Sequence, residues 1–352
     1  MHKTLYNDAL KLLKELIGIP SYSREEQATA SVIEHFFRSR GIKADRRNNN
    51  VWAVNKYFDA GKPTLLLNSH HDTVKPNKDY TQDPFAAIEA DSKLFGLGSN
   101  DAGGCLVSLI AAFLHFYEKQ DLRYNMILAA SAEEEISGTN GIESLLPLLP
   151  EIQFGIVGEP TLMNMAVAEK GLMVIDCTAH GQSGHAARAE GVNAIYKAMP
   201  DLNWFSTFSF PKVSPLLGPV RLSITMINAG TQHNVVPATC QFTVDIRINE
   251  CYTHEEILEV IRQHVTCDVQ VRSMRLRATS ISQDHPIVQA GIKLKLEPFG
   301  SPTMSDKALM PFPALKIGPG DSARSHMADE YIFLEDIKKG IDIYIQLLNE
   351  IV

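Results

Sequence analysis

Thr64-Leu65-Leu66-Leu67-Asn68-Ser69-His70-His71-Asp72 is an apolar run of strand length that ends in two histidines and an aspartate. A run with so few alternating polar positions fits a strand buried on both faces of a parallel sheet. The construction recurs three times. Met126-Ile127-Leu128-Ala129-Ala130 leads into Glu133-Glu134-Glu135, and Gly155-Ile156-Val157 into Gly158-Glu159-Pro160. Ala314-Leu315-Lys316-Ile317 leads into Gly318-Pro319-Gly320-Asp321 and then Ser325-His326. In a parallel sheet the C-terminal strand ends lie along one edge, where α/β proteins build their sites. One such ending is ordinary loop polarity. Four that can meet at one edge point to a metal site.

Outward from these runs, helical spacing fills the gaps. Leu5, Leu10, Leu13, Leu16 and Ile17 form one helical stripe, and 103–117 and 334–351 read as further helices. Ser23 with Glu26 reads as a capping box opening a helix that runs through Ile33 and Phe37 to Gly41. Strands alternating with helices give an α/β domain with a largely parallel sheet and helices on both faces. The middle of the chain reads differently. Strands near 172–180, 220–227, 239–248 and 269–273 and helices near 191–205 and 253–265 give the split βαβ, ferredoxin-like order. We therefore expect a metal-binding catalytic domain of 1–168 and 276–352, interrupted by an inserted α+β domain of 169–275.

Composition narrows the function. The chain has 352 residues, 45% hydrophobic and 21% charged, which is ordinary for globular domains. With 33 basic and 41 acidic residues the net charge is −8, and no basic stripe is present. Nucleic acid and anionic membrane surfaces are thus disfavoured as partners. The longest apolar run, about 105–116, is too short for a membrane span of about 20 residues. The first residues carry no apolar signal core. The five cysteines show no CxxC spacing, so they read as reduced thiols of a cytoplasmic protein. Any metal must then be held by His and carboxylates. Several carboxylates at one edge would repel one another, and two divalent cations remove that problem. His with carboxylates suits Zn²⁺, with Co²⁺ or Mn²⁺ as alternatives. Paired metals need a bridging carboxylate, and Asp101, at the head of the 103–117 helix, is the candidate.

His70-x-Asp72, Gly98-x-x-Asp101-x-x-Gly104, Glu134-Glu135, Gly158-Glu159-Pro160 and the late His326 together resemble the co-catalytic zinc metallopeptidases. That family includes acetylornithine deacetylase, succinyl-diaminopimelate desuccinylase, aminoacylase and the carboxypeptidase-G type. The resemblance implies the family's zinc-exopeptidase-like fold with an inserted lid and dimerisation domain. It implies His70 and Glu159 on one metal, Glu135 and His326 on the other, and Asp101 bridging. Asp72 would orient His70, and Glu134 would be the general base that takes a proton from a metal-bridging water. On the inserted domain, Gly181-Gln182-Ser183-Gly184-His185 resembles the family's lid motif, whose His polarises the scissile carbonyl. Asn234, Arg247, Ser305 and Asp306 match positions that hold the substrate.

Three departures stand out. Glu133 replaces a usual Asp, so Glu133-Glu134 is the alternative register for the base and ligand pair. Leu97 stands where many members have Arg, and Ala102-Gly103 where many have Met-Lys. The implied function is removal of the N-acyl group from an N-acylated amino acid by a cytoplasmic homodimer. Within the family the chain looks most like acetylornithine deacetylase, which implies arginine biosynthesis. A succinyl-diaminopimelate desuccinylase or dipeptidase is the alternative, and a non-catalytic metal-binding scaffold the reading outside the class. For single residues the bland alternatives are a structural ion pair for Arg247 and turn positions for His185 and Asn234.

Overall fold

The computed structural model describes residues 2–188 and 190–352. The chain divides into two compact units. The first comprises 1–167, 281–299 and 305–352, and the second 168–280 with the short strip 300–304.

The first unit is built on a mixed sheet. Its strands run in the order Ala44–Arg47, Asn50–Val54, Asn125–Ser131, Thr64–His70, Ile152–Val157, Ala314–Lys316, Met165–Glu169. The four from Asn125–Ser131 to Ala314–Lys316 are parallel, and the flanking pairs are antiparallel. Thr64–His70 is buried at every position, as a central strand covered on both faces must be. The helix Gly104–Phe116 is apolar nearly all round and buries eleven of its residues. It packs against His2–Ile17 and Leu334–Asn349, the outcome expected of a helix with no polar face.

The second unit has the strand order Arg221–Ala229, Thr239–Ile248, Gly171–His180, Asp268–Val271, all antiparallel. In chain order that is 2-3-1-4, with helices Ala194–Thr207 and His254–His264 between strands, which is the ferredoxin-like arrangement. Both helices lay apolar residues on one sheet face. Ala198, Phe205, Ile257 and Ile261 meet Ile175, Phe242 and Val244 in one core. The other face and the strand Arg221–Ala229 stay largely open.

One local expectation fails. The helix after Ser23 begins at Gln27, Glu26 is its N-cap residue, and no side chain caps it. Ser23 turns away and donates to Asp72 Oδ2 at 2.7 Å. Glu26 instead accepts from the backbone N–H of Arg24 and Glu133 and from Asn49 Nδ2. Non-local partners for two buried carboxylates outweigh a cap contributing about 1 kcal/mol.

Candidate metal centre

The first strand end supplies a fixed imidazole. His70 Nδ1 lies 3.0 Å from the carbonyl oxygen of Asp72, which can only accept. Nδ1 therefore carries a proton, which leaves Nε2 as the nitrogen a metal would use. That Nε2 faces Asp101 at 3.3 Å and Glu134 and Glu159 at 3.8 Å. His71 points the other way, as alternation along an extended chain requires. Its Nε2 donates to Asn49 O at 2.9 Å and its Nδ1 meets Thr29 Oγ1. Burial pushes its imidazole down to about 4, so it is a neutral core histidine.

Asp72 does more than orient His70. Its carboxylate accepts from the backbone N–H of Glu134 and of Glu135, at 3.1 and 3.2 Å. The first strand end thereby fixes the glutamate turn on the neighbouring strand end. Glu133 sits at φ +55° and directs its carboxylate at Asn140. Glu134 and Glu135 are the two that face the cluster.

Asp101 comes from the loop ahead of the helix Gly104–Phe116. Gly98 opens this loop at φ +74°, and a Cβ there would lie 2.6 Å from Thr73 Cγ2. Only glycine meets both demands. Glu330 closes the loop. Its buried carboxylate accepts from the backbone N–H of Gly98, Asn100 and Asp101, at 3.0, 2.8 and 2.9 Å. No sequence signal marked Glu330 for this work, because its partners lie some 230 positions away.

Two triads result. Ligand atoms of His70, Asp101 and Glu159 lie within 4.8 Å of one another, and so do those of Asp101, Glu135 and His326. Asp101 belongs to both. His326 Nε2 is 3.0 Å from Glu135 Oε2, whose hydrogen bond raises the imidazole to about 9. Burial, with Glu159, Asp306 and Glu135 adding to it, pushes the Glu134 carboxyl well above its usual range, against the pull of His70. Oxygen-rich triads joined through one shared carboxylate fit a pair of divalent cations.

The remaining candidates lie elsewhere. Asp306 is buried under the strand ends, where its carboxylate accepts from Asn68 Nδ2 and Ser131 Oγ at 2.8 and 2.6 Å. Burial raises it to about 6. Its charge acts on Glu134, whose carboxyl it helps to raise. Ser305 caps the short helix Asp306–Leu309 through the N–H of Lys307. His185 and Asn234 are on the second unit and exposed, side by side where Gly184–His185 pairs with Val235–Val236. Arg247, also on that unit, holds Asp245 in a two-point ion pair.

Residues 66–350 match the model of peptidase family M20/M25/M40. The chain belongs to that family. Its members hydrolyse amide bonds, and this chain is an amide hydrolase of the group. It is 23% identical to succinyl-diaminopimelate desuccinylase 2 of Ruegeria sp., over 97% of this chain and 95% of that protein. It is 26% identical to acetylornithine deacetylase of Proteus mirabilis, over 97% and 96%. Aminopeptidase PepT from Bacillus cereus superposes with a TM-score of 0.79 at 18% identity, covering 98% of both chains. YXEP protein of Bacillus subtilis, a dinuclear metal binding peptidase, superposes at 0.73 with 14% identity, again over 98% of both. Among the described residues no helix is long and apolar enough to cross a membrane.

Glu330 provides a first test of the metal centre. Glu330→Gln replaces an acceptor by an NH₂ group facing backbone donors, which leaves buried N–H groups of the loop without a partner. We expect metal affinity to fall about 10–100-fold, as when other partners behind a ligand are lost. The check is metal content after dialysis against a graded chelator. Unchanged affinity would show that the loop holds Asp101 without it.

Proposed function

We propose that the chain removes the N-acyl group from an N-acylated amino acid, using two divalent metals. His70, Asp101 and Glu159 would hold one, and Asp101, Glu135 and His326 the other. The observation that carries this reading is Asp101's membership of both triads beside Glu134, which belongs to neither. Zn²⁺ suits the donors, with Co²⁺ and Mn²⁺ as alternatives. When bound, such metals polarise a carbonyl and lower the pKa of an attacking water.

The chain's own residues do the rest. Glu134 takes a proton from the attacking water and delivers it to the departing amine. Its burial among acids keeps its proton affinity high enough for both steps. Asp72 holds the His70 ring and the Glu134-Glu135 turn in one geometry. His185 Nδ1 accepts from the N–H of Ala187, so its neutral ring carries the proton on Nε2, a donor suited to the developing oxyanion.

Two substrates stand level. An acetylornithine-like substrate, and with it arginine biosynthesis, is supported by the relative of that name. A succinyl-diaminopimelate-like substrate is supported by several relatives at 23–24% identity over 97% of the chain. The free thiols support a reducing, cytoplasmic location. A homodimer through the second unit is supported by the open strand Arg221–Ala229, with Met226 and Ile227 exposed, and by Tyr196 and Met199 exposed on the helix Ala194–Thr207.

The test is a hydrolysis screen of N-acetyl and N-succinyl amino acids and dipeptides, with and without chelator. Activity should vanish on chelation and return with Zn²⁺ or Co²⁺. Full activity in metal-free protein would remove the metal from the mechanism. A metal-loaded protein inactive on every amide would favour the scaffold reading.

A further inference from the structure

The two imidazoles of the metal centre are held by different means. His70 is fixed at its ring, which is fully buried and donates through Nδ1 to the carbonyl oxygen of Asp72. His326 has no such hold. Its side chain is 55% exposed, its Nε2 faces Glu135 and Asp101, and its Nδ1 has no partner among the described residues. A metal-bound imidazole ordinarily donates its other N–H to a protein acceptor, which sets the ring. Where that acceptor is missing, the aim of the ring must come from the main chain. Here the main chain itself needs support. His326 stands at φ +61° and Asp329 at φ +52°. Residues with a side chain adopt this left-handed region rarely, and hold it when their surroundings impose it.

The support comes from a loop that carries no ligand. Asn77 Nδ2 donates to the carbonyl oxygen of His326 at 3.2 Å. The Asn77 side chain is set in turn by the N–H of Asp79, which donates to its Oδ1 at 3.0 Å. The Asp329 carboxylate accepts three hydrogen bonds from the same loop. Its Oδ1 takes the N–H groups of Thr81 and Gln82 at 2.9 and 3.0 Å, and its Oδ2 takes the Thr81 hydroxyl at 2.5 Å. Bonds to an ionised acceptor are the stronger kind. Glu330, the next residue, grips the loop of Asp101. Residues 326–330 are thus strung between two loops. One supplies the shared ligand Asp101, and the other only anchors.

We propose that Asn77 and Asp329 are positioning residues for His326. By pinning the main chain at 326–329 to the loop 77–82, they aim an imidazole that has no acceptor behind it. The inference rests on the two-metal reading, in which His326 shares the second position with Asp101 and Glu135.

The experiment measures Zn²⁺ affinity of the full chain by competition with a chelator, so it needs no substrate. Glu159→Gln leaves only the second position intact, and Glu135→Gln only the first. In the Glu159→Gln chain, adding Asp329→Ala should weaken Zn²⁺ binding about 10–100-fold, the usual loss when a partner behind a ligand is removed. In the Glu135→Gln chain the same change should do nothing, because its position lacks His326. Asp329→Asn keeps an acceptor for both N–H groups, and the Thr81 hydroxyl can turn to meet the new amide, so it should restore most of the affinity. A general loss of structure would weaken both positions and would not be rescued in this way. Asn77→Ala, at an exposed position, should act in the same direction as Asp329→Ala and carries the test if that variant does not fold. Equal Zn²⁺ affinity with and without Asp329→Ala in the Glu159→Gln chain overturns the inference, and so does an equal loss in both chains. A wild-type chain that takes up one Zn²⁺ only overturns the two-metal reading and this inference with it. Two Zn²⁺ in the wild type with an unaffected variant overturn this inference alone.

Discussion

Replacing Glu134 by glutamine should leave both metals in place and lower kcat about 10²–10⁴-fold, the usual loss for an acid–base group. The amide keeps the shape of the carboxyl but can neither take the water's proton nor return it to the amine. Glu134 lies outside both triads, so metal content should not change. Glu135→Gln should behave in the opposite way. Glu135 is in the second triad and 3.0 Å from His326, so its loss should empty one metal position. Metal analysis of both variants beside their kcat values decides the register of the glutamate pair. If Glu134→Gln lost a metal while Glu135→Gln kept both, the assignment would be off by one.

A mixture of two dead variants should regain activity. In the homodimer we propose, His185 would enter the site of the partner subunit, since it stands exposed on the unit that carries the open strand. Glu134→Ala and His185→Ala should each be inactive alone. In a mixed dimer one site would join intact Glu134 from one chain with intact His185 from the other. Activity should then rise from background to a substantial fraction of wild type after co-expression. Mixed dimers identified by mass spectrometry but lacking activity would place both groups in one chain. That outcome would leave the metal centre untouched.

The strand ends were readable because burial has a local signature. A seven-residue stretch such as Thr64–His70, buried at every position, must be apolar throughout, and its first polar residues then mark the sheet edge. The same logic made the ferredoxin-like order of the inserted segment legible, since strands and helices differ in period. Ser23 shows the limit of local reading. Its spacing to Glu26 satisfied a capping rule, yet both side chains are claimed by residues far away, Asp72 and Glu133 among them.

The sequence by itself therefore determined the α/β order and the polar residues that follow each buried strand. Tertiary structure decided who touches whom. It turned Glu133 towards Asn140, sank Asp306 beneath the strand ends, and brought Glu330 round to hold the loop of Asp101. It also set Arg221 across from Arg247, a pairing that depends on sheet register. The physical reason is that hydrophobic periodicity reports only which side of an element is buried. Hydrogen-bond and ion-pair partners are chosen by packing between elements, and those contacts leave no spacing rule along the chain.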